Sequence, residues 1–187
     1  MTEDEKARRL SAVKKVRNKL LKFEETHPHL KEFGEFLDDF NKETERGAAL
    51  AAAAFIDDLL QRILMAFLVN KSSAEKLLSG FNAPLSSFSA RIAAVRALGL
   101  LSEVECQECD LVRKVRNEFA HQVKMSFDDK KIEGLCSSMT YRAKPYEDVT
   151  VSTRGAFTTA AVALILNLTN RPHYVALEKL TARTWPT

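Results

Sequence analysis

Asp110-Leu-Val-Arg-Lys-Val-Arg-Asn-Glu-Phe-Ala-His121 decides the fold, because its residues sort by type around a helix. At about 100° per residue, Leu111, Val112, Val115 and Phe119 fall within an arc of about 100°, the apolar stripe that a helix turns to a core. Asp110, Lys114, Asn117 and His121 gather on the other side. Asp110 with Lys114, and Asn117 with His121, stand at the i,i+4 spacing at which side chains meet. Arg116 lies about 140° round from His121, so one straight helix does not aim both groups at one ligand atom.

Working outward, Ser102-Glu-Val-Glu105 is a capping box that starts this helix at Glu103 and carries it through His121, about 28 Å. The other long apolar stretch runs from Thr44 to Val69. Ala48 to Ala54 is small on every side, and Phe55, Ile56, Leu59, Leu60, Ile63, Leu64, Phe67 and Leu68 are the bulky knobs. A helix apolar on nearly every face is central in a bundle, and the two long helices are expected to pack antiparallel. Asp57 and Asp58 interrupt it. Asp58 stands in the favourable i,i+4 order for an ion pair with Arg62, and either carboxylate is also a candidate to orient Arg116 or His121.

Between the long helices, a short helix is expected around Ala74 to Leu78. A further one, opened by Pro84, Ser86 and Ser87, runs to Leu98, with Phe88, Ile92, Val95 and Leu98 on one face, Arg91 and Arg96 elsewhere, and Gly99 just past its end. After Lys124 the periodicity fails. Asp128 to Lys131 and Ser137 to Ser152 read as loop, with at most a short strand at Val149-Thr-Val151. A last apolar helix spans Thr153 to Thr169, is stopped by Pro172, and leaves a turn or two from Tyr174 to Leu180.

The N-terminal end is divided by charge. Residues 3 to 23 read as an amphipathic helix whose polar face carries eight basic residues, Arg8, Arg9, Lys14, Lys15 and Arg17 among them, against three acidic ones, a net +5. Such a face suits a phosphate backbone or an acidic membrane surface, and equally an ordinary solvated face. After His27-Pro-His29, residues 23 to 45 hold eight acidic residues against two basic ones, a net −6, with Phe33, Phe36, Leu37 and Phe40 at helical spacing. Pairing of the two helices would neutralise much of the basic face.

With 187 residues, 45% hydrophobic and 28% charged, the chain supports one domain with a sizeable core, and 6 Gly and 5 Pro argue against a turn-rich β fold. The expected division is a basic N-terminal helix over 1–30, a core over 36–138, and a loop with the C-terminal helix over 139–187. The N-terminus is charged where a signal peptide needs an apolar segment, and no apolar run approaches the roughly 20 residues of a membrane span, so the expectation is a cytoplasmic protein. Three cysteines make a poor disulfide framework. Cys106 and Cys109 form a Cys-x-x-Cys, but a structural zinc site needs four ligands, and redox motifs of this spacing belong to βαβ arrangements not seen here. No metal and no cofactor are expected.

Arg and His near a helix C-terminus ordinarily offset the helix dipole and cap free carbonyls. Arg116-Asn-Glu-Phe-Ala-His121, however, resembles the signature of the HEPN superfamily, small all-helical domains in which that motif is often the active site of a metal-independent ribonuclease. A longer succession resembles the mannitol operon repressor (MltR) family, bacterial regulatory proteins with a helical, HEPN-like body. It comprises Glu45-Arg-Gly-Ala-Ala-Leu50, Phe55-Ile-Asp-Asp-Leu-Leu60, Ala83-Pro-Leu-Ser-Ser-Phe-Ser-Ala-Arg91, Leu98-Gly-Leu-Leu101, Val115-Arg-Asn-Glu-Phe-Ala-His121 and Ser126-Phe-Asp-Asp129. The fold these imply is an all-α bundle, HEPN-like or MltR-like, built on the two long helices with extra helices at both ends.

The MltR resemblance implies a transcriptional regulator, a repressor of a sugar-alcohol operon type. The sequence offers no helix-turn-helix, zinc finger or ribbon to enter a DNA groove, so such a repressor acts through a protein partner or through weak nucleic-acid binding by the basic N-terminal helix. The HEPN resemblance implies RNA cleavage through the 2′-hydroxyl. There His121 takes the proton, Arg116 stabilises charge on the phosphoryl oxygens, Asn117 holds the imidazole or a phosphate oxygen, and Asp57, Asp58 and Lys114 support them. It also implies a homodimer in which Arg116 of one chain and His121 of the other meet on one phosphate. A non-catalytic oligomerisation module is the third reading.

Overall fold

Thr44 fixes the start of the longest helix. Its side chain accepts the Gly47 N–H at 3.0 Å, filling one of the donors a helix start leaves open. In the computed structural model, which describes residues 28–186, that helix follows α1 (Pro28–Phe40) and is α2 (Glu45–Phe67). Then come α3 (Lys71–Leu78), α4 (Phe88–Ala97), α5 (Glu103–His121), α6 (Lys130–Ser137), α7 (Thr153–Thr169) and α8 (Arg171–Leu177). The described residues from Leu37 onward form one compact unit, and Pro28–Phe36 fall outside it. The basic helix expected over 3–23, with Arg8, Arg9, Lys14, Lys15 and Arg17, lies outside the described residues. The all-α expectation holds: among the described residues the only β pairing is an isolated bridge between Tyr146 and Val149, and no helix is long and apolar enough to cross a membrane.

Helix α2 is the axis, packing against α3, α4, α5, α7 and α8. Ala48, Ala49, Ala52 and Ala53 are buried on it, so neighbouring backbones approach closely, and Ile56, Leu59, Leu60, Ile63 and Leu64 fill the space beyond. Helix α5 answers with Cys106, Cys109, Val112, Val115 and Phe119, all fully buried.

The antiparallel pairing of α2 and α5 is locked at one end by a reciprocal clamp. Arg46 donates to the carbonyls of Gln122 at 2.5 Å and Val123 at 3.0 Å, where α5 ends. Glu45 accepts the Phe127 N–H at 3.1 Å. The cation sits on orphan carbonyls at the negative pole of α5. Phe127, drawn inward, lies 5.0 Å from the Phe119 ring and 5.3 Å from that of Phe157, joining α5 to α7.

The capping box at Ser102 and Glu105 forms as expected, and Gly99 has φ +67°, a conformation glycine takes without strain. Four expectations are corrected. Lys130–Ser137, read in part as loop, is a helix; Asp129 caps it by accepting the Lys131 N–H at 2.8 Å, and its two buried residues, Ile132 and Cys136, are too few to show a period. The last helix begins at Arg171, ahead of the turn expected from Tyr174, and Pro172 stands in its first turn, where a missing N–H costs nothing. Arg91, expected off the apolar face, is buried, and Leu98, expected on it, is 42% exposed. Asp110 meets Arg113, its i,i+3 neighbour, at 3.2 Å and Arg96 of α4 at 3.6 Å instead of Lys114.

Candidate functional site on helix α5

The ionisable residues of the first half of α5 are engaged by the fold. Glu105, almost fully buried, accepts the Ser102 N–H at 2.8 Å and takes Arg171 of α8 at 2.6 Å. Arg171 also donates to Leu100 O at 3.0 Å, tying α8 to the turn before α5. Glu108, 1% exposed, accepts the Thr140 N–H at 2.5 Å through Oε1, while Oε2 is buried without a hydrogen-bond partner among the described residues. Burial pushes the Glu108 carboxyl above its usual range, against the opposing effect of the Thr140 and Tyr141 backbone and of Arg142. Burial likewise raises the Cys106 and Cys109 thiols and pushes that of Cys136 up to about 12. All three cysteines are free, and inert thiols of this kind serve as core.

The second half differs. Lys114 and His121 are exposed and Asn117 is half-buried, and among the described residues none of the three side chains makes a hydrogen bond or ion pair. They share one face of α5. His121 occupies the last position of the helix, beside the Arg46 clamp. Neighbouring Glu118 is held by Lys131 at 2.7 Å and by Gln122 at 2.9 Å.

Arg116 faces elsewhere, as its angle from His121 requires. It is half-buried and lines a concavity of about 330 Å³ with Leu50, Ala53, Ala54 and Asp57 of α2 and Phe88 of α4. It too has no described polar partner. The Asp57 carboxylate that shares the hollow is taken by Arg91, 2.8 Å away, as a charge pair without hydrogen-bond alignment at that oxygen. Asp58 pairs with Arg62 at 2.5 Å, in the order its spacing foretold. Within one chain, then, no described contact joins Arg116, His121 and either aspartate.

Arg91 is the residue the sequence reading passed over. It donates to Leu85 O at 3.0 Å and Leu78 O at 3.1 Å as well as meeting Asp57. The signal was present: Arg91 lies three residues after Phe88 and four before Val95, within the stripe of α4 that is buried. Among the described residues no group of three metal-ligating side chains comes together.

The molecule thus defines a class: an all-α bundle around one central helix, with the second half of α5 presenting uncommitted polar side chains. It is similar to a chain in the X-ray structure of the MtlR–HPr complex from Escherichia coli, at 19% identity and a TM-score of 0.54, covering 77% of this chain and 98% of that one. At that identity the likeness is one of fold, and the fold is the one the MltR resemblance implied. No protein-family model matches the chain, and no curated protein matches its sequence.

Proposed function

We propose that this chain is an MltR-like regulatory domain that acts by binding another protein, as a repressor of a sugar-alcohol operon type. The observation that carries the reading is the fold likeness to a chain solved in complex with a protein, HPr. The face formed by Lys114, Asn117 and His121 supports it. Two of these side chains are exposed and none has a described partner, and donors and acceptors left free on a rigid helix are suited to specify a contact.

Calorimetric titration of the chain with purified HPr tests the reading directly, with Asn117→Ala and His121→Ala as variants. Saturable binding weakened by either variant is the expected result. The absence of binding, together with EDTA-resistant cleavage of single-stranded RNA that His121→Ala and Arg116→Ala abolish, would replace this reading with the ribonuclease one.

A further inference from the structure

Between α6 and α7 the chain runs as a strap, residues 142–151, whose course is fixed by its own bonds. Just ahead of it Glu108 holds the Thr140 N–H, and Ala143 N–H donates to Thr159 Oγ1 of α7 at 2.8 Å. Further on, Tyr146 and Val149 exchange backbone hydrogen bonds at 3.3 and 2.9 Å, with Glu147 between them in left-handed backbone at φ +49°. Together with α6 and α7 the strap bounds a cleft of about 250 Å³. A cleft whose walls are already bonded in place is preformed, as small-ligand sites usually are.

Ala143, Pro145, Val151 and Ala156 give the cleft apolar wall, and Glu133 of α6 and Arg142 of the strap give it one charge of each sign. Among the described residues these two do not come within ion-pair distance of each other, and neither forms an ion pair elsewhere. Arg142 spends Nη1 on Met139 O at 2.5 Å, which orients the guanidinium and leaves Nε and Nη2 without a described hydrogen bond. Glu108 acts on Arg142 electrostatically, but it is committed to Thr140 and does not line the cleft. An oriented guanidinium offers a fork that matches a carboxylate, and a free carboxylate accepts from an ammonium. Opposite charges that line one cleft without neutralising each other are complementary to a ligand that carries both.

We propose that this cleft binds a small zwitterion of the α-amino acid type, its carboxylate on Arg142, its ammonium on Glu133 and a compact apolar side chain against Pro145 and Val151. The volume lies below the roughly 300 to 1,000 Å³ of pockets that take drug-sized ligands, so the occupant is small. A simple anion would meet Glu133 with like charge and a simple cation would meet Arg142, so the pair of side chains selects for both groups on one molecule. The cleft is built from α6, the strap and α7, whereas Lys114, Asn117 and His121 stand on α5. Amino-acid binding and the protein-partner reading therefore stand or fall separately.

Saturation-transfer NMR titration of the full chain tests the proposal with three probes: L-valine, isovalerate, which is valine without its ammonium, and isobutylamine, which is valine without its carboxylate. Circular dichroism verifies that each variant is folded. Valine binds saturably, with a dissociation constant below about 1 mM, and each of the other two binds at least about tenfold more weakly. Glu133→Gln, at an exposed position, weakens valine about tenfold and leaves isovalerate where it was, whereas Arg142→Gln weakens valine and isovalerate alike. A loosened strap would weaken all three probes together, so the selective loss in Glu133→Gln separates recognition from folding. No saturable valine binding up to about 10 mM, isovalerate or isobutylamine bound as tightly as valine, or a Glu133→Gln chain that binds valine like the wild type overturns the proposal.

Discussion

In the first half of α5, Glu105 and Glu108 are buried and bonded to other segments of the chain. In the second half, Lys114, Arg116, Asn117 and His121 make no described polar contact with their side chains. Both halves bury one apolar stripe of the same helix, so hydrophobicity does not separate them. Only the neighbours do: α8 and the Thr140 segment supply partners to Glu105 and Glu108, whereas in the second half Lys131 of α6 takes Glu118 and no described group reaches Lys114, Arg116, Asn117 or His121. A side chain spent on another element costs stability to remove, whereas one left unspent is available to a ligand or partner.

That contrast breaks most readily at Glu105. Glu105→Ala is expected to lower stability by about 3 kcal/mol in chemical denaturation, because it leaves Arg171 without its carboxylate and strips the capping box. Arg46→Ala frees two carbonyls at the end of α5 and should cost about 1 to 2 kcal/mol by the same measurement. Ser102→Ala removes one cap and should cost about 1 kcal/mol.

Glu108 sharpens the contrast through pH. Its carboxyl is raised in the folded state, so folding favours the protonated form. The penalty for ionising it is absent below the unfolded value, about 4.3, sets in as pH rises toward the folded value, and is complete above that. Glu108→Gln keeps an acceptor for Thr140 and replaces the orphan oxygen by a neutral amide. Its stability relative to wild type should therefore increase as pH rises across that window, as denaturation at a series of pH values will show; a difference constant with pH would refute the assignment. At the other extreme, His121→Ala should change stability by less than about 0.5 kcal/mol while weakening HPr binding in calorimetry. A large loss of stability instead would erase the distinction between the halves.

Much of the fold was legible in the chain. The boundaries of α5 and α7 follow from cap residues and apolar period, and α2 announces its central place by being apolar all round. Helix α6 was not, because eight residues with two inward positions carry no periodicity. The buried Arg91 was missed for another reason: charge suggested solvent, while its spacing from Phe88 and Val95 pointed inward, and spacing prevailed because Asp57 and two carbonyls awaited it.

The sequence alone determined the helices, their caps, the apolar stripes, and the angular separation of Arg116 from His121, since all of these depend on residues within a few positions of one another. Tertiary structure decided which charged residues were consumed. Glu45, Arg46, Asp57, Arg91 and Glu105 became clamps because partners up to 82 residues distant reached them, and Arg116, Asn117 and His121 were left over for the opposite reason. Whether a polar side chain serves the fold or remains available depends on what packs within hydrogen-bonding distance, which no local pattern encodes.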